Sequence, residues 1–150
     1  MSTYSGKYKP KNPEKYKGDW RKMTYRSSWE LFVMQWADSN PRIVKWGSET
    51  VVIPYFSSLD QKQRRYYMDF YVMFDTGQEY LFEVKPFKET IPPVKPKRMT
   101  PKSKQRYENE VYTYGVNMDK WKAAKIAAEK NNMEFRLLTE KSLKKLGMRR

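Results

Sequence analysis

Three side chains in the middle of the chain have the types and the spacing to hold a cation and act on a phosphate: Asp69, Glu83 and Lys85. They lie in the stretch Tyr66–Pro86, YYMDFYVMFDTGQEYLFEVKP, which reads as two strands, Tyr66–Phe74 and Gln78–Lys85, rich in aromatic and β-branched residues. Asp75-Thr76-Gly77 between them reads as a three-residue hairpin loop, with Gly77 at the position that needs a positive φ. That loop puts Phe74 opposite Gln78 and, counting back, Asp69 opposite Glu83, with Cβ atoms about 4.5–5.5 Å apart. Lys85 follows two residues later and projects from the same face. A two-residue loop would slip the register and separate the acids.

The neighbours Phe70, Tyr71, Val72, Leu81, Phe82 and Val84 are apolar. A buried strand does not carry three charges in one place unless they are paired or bind a metal. Two adjacent carboxylates repel, and a divalent cation relieves the repulsion. Hard oxygen donors at this spacing suit Mg²⁺, which takes one or two carboxylates and keeps several waters. The plainer alternative is a Glu83–Lys85 pair on a solvated sheet face, with Asp69 nearby by chance.

The elements around this hairpin must position it. The 150 residues suffice for one compact α/β domain with a real core. Lys and Arg number 31 against 17 Asp and Glu, a net charge of +14 that favours a polyanion, with nucleic acid the leading partner. The 12 Tyr and 5 Trp supply faces for stacking or packing. A basic protein of a ribosome or membrane surface is the alternative. With no Cys there are no disulfides or thiolate metal sites, and with no His there is no serine triad and no imidazole base. No apolar run spans a membrane and no signal pattern opens the sequence, so a cytosolic place is expected.

Residues 1–24 interleave Tyr4, Tyr8 and Tyr16 with lysines and prolines and read as a basic arm, disordered or wrapped on the body. The domain proper is expected over 25–150. Ser27-x-x-Glu30 fits a capping box opening a helix to about Asp38, with Trp29, Phe32, Val33 and Trp36 as its buried stripe. Ile43–Trp46 reads as a short strand or extended segment and Thr50–Tyr55 as the first main strand. Glu49, just before it, reads as a surface or salt-bridge residue more than a site residue. Ser57–Arg65 reads as a polar loop whose Lys62, Arg64 and Arg65 could touch phosphates. Beyond Lys85, five prolines punctuate a basic run containing Lys88, Lys95, Lys97, Arg98, Lys102 and Lys104. This is expected to be an extended loop over about 86–104, lining a DNA groove or serving only as a linker. A helix over Gln105–Tyr114 is expected to break at Gly115, followed by a better one over Met118–Lys130, a strand over Met133–Leu138 and a short helix stopped by Gly147. Strands separated by a helix are expected to pair in parallel.

Asp69 followed, after a hairpin, by Glu83-Val84-Lys85 resembles the D…ExK core of the PD-(D/E)xK nuclease superfamily. Ser27-Ser28-Trp29-Glu30-Leu31 and Arg64-Arg65-Tyr66-Tyr67-Met68-Asp69-Phe70 add to a resemblance to its TnsA-like endonucleases, with Met68 where those proteins usually have Pro. The resemblance implies a restriction-endonuclease-like sandwich, a mixed sheet with a central antiparallel hairpin flanked by helices. It implies a DNA nuclease in which Asp69, Glu83 and the Val84 carbonyl hold Mg²⁺ or Mn²⁺, Lys85 stabilises charge on the phosphate, and Glu30 reaches the metal site from the first helix. It also implies an auxiliary residue on the helix after Lys85, for which Lys120 or Lys122 could serve. The pattern is similar to small nucleases of T-even-like tailed bacteriophages. That implies action on packaged DNA during head completion and head–tail joining, portal or neck proteins as neighbours, and a location in the host cytoplasm or the virion. The rival expectation is a structural DNA-binding virion protein whose nuclease core is vestigial or secondary.

Overall fold

The computed structural model describes residues 4–149. In chain order the elements are β1 (Gly6–Lys7), β2 (Thr24–Tyr25), α1 (Ser28–Ser39), β3 (Ile43–Ser48), β4 (Val52–Ser57), β5 (Lys62–Tyr67), β6 (Phe70–Phe74), β7 (Glu79–Val84), α2 (Pro101–Lys130), β8 (Met133–Leu138) and α3 (Glu140–Lys145). The main sheet has four strands in the order β3-β6-β7-β8. β3 and β7 both run antiparallel to β6, while β8 runs parallel to β7 across the α2 crossover. The mixed sheet around a central hairpin is the α/β architecture expected.

Alternation along β6 and β7 divides the core in two. Phe70, Val72 and Phe82 pack with Val33, Met34 and Ala37 of α1, Trp46 of β3 and Leu143 of α3. Tyr71 and Leu81 point the other way, onto Trp121, Ala124 and Ala128 of α2 and onto Ile53, Tyr55 and Tyr66 of β4 and β5. Asp69, Glu83 and Lys85 share the parity of Tyr71 and Leu81, so the acids belong to the α2 side.

Several expectations are corrected. The Tyr66–Phe74 strand is interrupted at Met68-Asp69, so its first part belongs to β5 and only Phe70–Phe74 joins the hairpin. Ser57–Arg65 is not a loop: β4 and β5 form a separate antiparallel ribbon, turned at Ser58–Gln61 with Gln61 at φ 56°. Lys62, Arg64 and Arg65 therefore sit on a strand. The segment read as a short strand or extended segment, β3, is one of the two edge strands of the main sheet, whereas Thr50–Tyr55, read as the first main strand, lies outside it. The stripe of α1 is centred on Val33, Met34 and Ala37, with Trp29, Phe32 and Trp36 only half-buried. The basic loop ends at Thr100, which caps α2 through Ser103, so Lys102 and Lys104 are helical. The two expected helices are one, because Gly115 does not break α2: an added Cβ there would stand 3.0 Å from Leu59 Cδ1, and the glycine admits the ribbon turn.

The described part of the N-terminal segment wraps the body. β1 pairs with β2, Tyr16 meets Trp46 edge-on at 4.8 Å between ring centroids, and Lys17 N–H donates to the Trp46 carbonyl at 2.7 Å. Its anchor is Asp38, at the end of α1 and 1% exposed. The Asp38 carboxylate accepts from Tyr8 Oη at 2.6 Å and from the N–H groups of Lys11 at 2.7 Å and Asn12 at 3.0 Å. Lys15 Nζ donates to the carbonyls of Asp38 at 2.7 Å and Asn40 at 2.9 Å, satisfying the helix end. Removing the acceptor would orphan these donors. Asp38→Ala is therefore expected to cost about 3 kcal/mol, lowering Tm by about 6–12 °C in a circular-dichroism melt. An unchanged Tm would show that the segment adds nothing to stability.

Candidate active site

The hairpin register is the one the loop chemistry requires. Phe70 pairs with Phe82 and Met73 with Glu79, which continues to Asp69 opposite Glu83. Gly77 has φ 90°, its N–H donates to the Phe74 carbonyl at 2.9 Å, and Phe74 N–H donates to the Gln78 carbonyl at 2.9 Å. Met68 is fully buried, and its N–H donates to the Val51 carbonyl at 2.9 Å. A proline at that position would forfeit this bond.

Asp69 is held on both sides. Its Oδ2 accepts from Val84 N–H at 2.8 Å, and its carbonyl accepts from Glu49 N–H at 3.1 Å. Glu83 is 7% exposed. Its Oε1 accepts from the Tyr66 hydroxyl at 2.7 Å, and its Oε2 lies 3.7 Å from Lys85 Nζ. Lys120, from α2, lies 5.4 Å from the centre of the Tyr66 ring, and its charge reaches Glu83. Lys122, two residues further along the helix, is exposed.

Glu30 accepts from Arg26 N–H at 2.8 Å, one residue before the partner a capping box would use, while Ser27 Oγ accepts from Glu30 N–H at 3.1 Å. The charge of Glu30 is felt by Asp69, so α1 presents it to the same site. Glu49 pairs with Arg26 at 2.5 Å, the salt-bridge role its sequence context suggested. Sequence reasoning missed Tyr66 as a site residue. Its phase relative to Asp69 is unreadable from alternation, because the strand is interrupted between them.

Burial governs the electrostatics. The carboxyl of Asp69 is pushed well above the usual carboxylate range, first by desolvation and then by the charges of Glu83 and Glu30, with the Val84 N–H and Lys85 opposing. Glu83 is also raised, by desolvation, against the pull of Tyr66, Lys85 and Lys120. The Tyr66 hydroxyl is driven upward by burial and by Glu83, so it stays a proton donor. Two acids this close, each resisting ionisation, form an oxygen-donor set that a divalent cation would satisfy. Among the described residues no three or more acids come together in a group that could hold a metal ion, so the set here is a pair. A pair of carboxylates with room for water is the donor set Mg²⁺ uses.

The basic residues divide differently. Arg64 is spent on Asp60, to which it donates from Nε at 2.9 Å. Lys62 and Arg65 are exposed on β5, Lys88 lies in the short 3₁₀ turn Phe87–Thr90, and Lys95, Lys97 and Arg98 are exposed in the stretch before α2. Lys102 and Lys104 are exposed on the first turn of α2.

Residues 40–140 match the family described as TnsA-like endonuclease N terminal, a span that contains Asp69, Glu83, Lys85 and Lys120 but not Glu30. The chain is 55% identical over 146 residues to the head completion nuclease of Enterobacteria phage T4, covering 97% of each. No solved structure matches.

Raised carboxyl pKa values fix the sign of a pH effect. The folded state binds protons more tightly than the unfolded chain, so this contribution to stability is complete below about pH 4 and is lost as pH rises through the folded pKa values. Without divalent ions, the Tm of the wild type is expected to fall between about pH 5 and 8. Asp69→Asn is expected to raise Tm at neutral pH by about 2–4 °C per kcal/mol of repulsion removed. Melts in EDTA at several pH values check both, and a lower Tm for Asp69→Asn at neutral pH would contradict the repulsion.

Proposed function

Since the chain belongs to the TnsA-like endonuclease family and is a nuclease, we propose that it hydrolyses DNA phosphodiester bonds with Mg²⁺ or Mn²⁺ held by Asp69 and Glu83. The observation that carries this reading is the pair of acids at the open end of the hairpin, Glu83 buried and Asp69 half-buried, with Lys85 at 3.7 Å from Glu83. The Val84 carbonyl, between Glu83 and Lys85 in sequence, would complete the protein's oxygen donors. When bound, the ion supplies a positive charge that polarises a phosphate oxygen and acidifies water.

The chain's own residues do the rest. Tyr66 fixes the Glu83 carboxylate by donating to Oε1, leaving Oε2 toward Lys85. Val84 N–H fixes Asp69 in the same way. The Lys85 ammonium, tethered at the site, stabilises the negative charge that grows on the phosphate during attack. Glu30 adds a third carboxylate from α1 at the outer edge. Lys120 tempers the negative charge near Glu83. With no His in the chain, no imidazole is on hand to take the proton from water at neutral pH.

DNA as substrate is supported by the net charge of +14 and by the exposed Lys88, Lys95, Lys97 and Arg98 between the catalytic strand and α2, with Lys102 and Lys104 on the first turn of that helix. The relation to the head completion nuclease of phage T4 supports a nuclease acting at head completion during phage assembly in the host, and action on packaged DNA at head–tail joining is the reading proposed with it.

Cleavage of linear and circular DNA with Mg²⁺ tests the reading. Asp69→Ala, Glu83→Ala and Lys85→Ala are each expected to lose at least about 100-fold in rate while keeping a cooperative melt. Full activity in all of them would end it. Activity that persists in EDTA would remove the metal, and nicking of circles would identify an endonuclease.

A further inference from the structure

One cavity lies beside the acids and not over them. It has a volume of about 530 Å³ and opens between the stretch after β7 and one stripe of α2. Its floor is the α2 stripe Arg106, Asn109–Glu110, Thr113–Tyr114 and Asn117, and its facing wall is the apolar run Ile91–Val94. Asn117 is 5% exposed, and its side-chain nitrogen has no protein partner. An unpaired buried amide is costly unless something else completes it. The stripe continues without a break to Lys120, about 5 Å further along the helix axis, beside Tyr66 and Glu83. On the side facing α2 the lining begins at Lys88, three residues after Lys85.

We infer that this cavity receives one unpaired nucleobase of the DNA strand whose backbone runs to the acids, so that the enzyme works at ends or junctions where a base is free. The chemistry of the lining selects a base over a bare phosphate. Lys88 and Arg106 are balanced by Glu89 and Glu110, which leaves no net positive charge to hold an anion inside. Ile91, Pro93 and the Tyr114 ring offer flat apolar surfaces to a base's faces. Asn109, Asn117, Thr113 and Glu110 offer donors and acceptors to its edge. The exposed lysines outside the cavity remain available for the flanking phosphates. Pro92 and Pro93 stand together in the middle of the wall, so it is stiff there and loses little entropy when a base enters.

This inference rests on DNA being the substrate, and its test is separable from cleavage. Fluorescence anisotropy in EDTA compares a blunt duplex, the same duplex with a short single-stranded overhang, and an abasic version of that overhang. The wild type is expected to bind the base-bearing overhang at least about five-fold tighter than either of the others, the low end of what burying one base contributes. Asn117→Ala, and independently Thr113→Trp, which fills the cavity from an exposed position, are expected to abolish the preference while blunt-end binding stays unchanged. Equal binding of base-bearing and abasic overhangs by the wild type would overturn it, as would a preference that survives Thr113→Trp. Loss of all cleavage with the preference intact would sink the catalytic reading and leave this one standing.

Discussion

Everything in this structure answers one constraint: two carboxylates, Asp69 and Glu83, are kept face to face where water cannot easily reach them. Left free, they would swing apart or take up protons. The hairpin ladder prevents the first by fixing their backbones opposite one another. Neighbouring groups then fix the side chains, with Val84 N–H on Asp69 and the Tyr66 hydroxyl on Glu83. Lys85 and Lys120 lower the cost without cancelling it. What remains is an unmet demand for positive charge, located at one point on a basic molecule.

That demand is matched by strain nearby. Glu49 adopts φ 57°, a left-handed conformation that costs a non-glycine residue of order 1 kcal/mol or more. Two contacts hold it there: its N–H on the Asp69 carbonyl and its carboxylate on Arg26. The conformation brings the end of β3 across to Asp69 and ties the start of α1, through Arg26 and Glu30, to the same place. The turn between β3 and β4 thus links the helix carrying Glu30 to the strand carrying Asp69. Evolutionary freedom at Glu49 would loosen both.

How much of this was legible in the sequence depends on how local the signal is. The Asp75-Thr76-Gly77 loop specifies its own geometry through one glycine, and the register of Asp69 and Glu83 follows by counting. The strand after α2 and the Gly147 that stops the last short helix were equally local and equally plain. The β4–β5 ribbon was not, because its turn places Gln61 in the left-handed region without a glycine to announce it, and one face of the ribbon is polar and exposed. The start of α2 did carry a signal, Thr100 before Pro101 with Ser103 in the third position, hidden among prolines that suggested a loop. Gly115 misled because its role is tertiary: it makes room for Leu59 across the molecule. Asp38 was invisible for the same reason, since its partners come from a segment that no periodicity connects to α1.

The continuity of α2 matters more than its length. A break at Gly115 would have left the residues before it free to move relative to those after it. As one helix, its stripe from Arg106 to Trp121 is a rigid ruler, anchored at the far end by Trp121, Ala124 and Ala128 against Tyr71 and Leu81 of the hairpin. Tyr71 and Leu81 are the neighbours of Asp69 and Glu83 on the same sheet face, two residues away in each strand. The acids and the cavity are therefore set at a fixed separation by packed core. A strand of DNA crossing both would meet them in one register only, whatever its sequence.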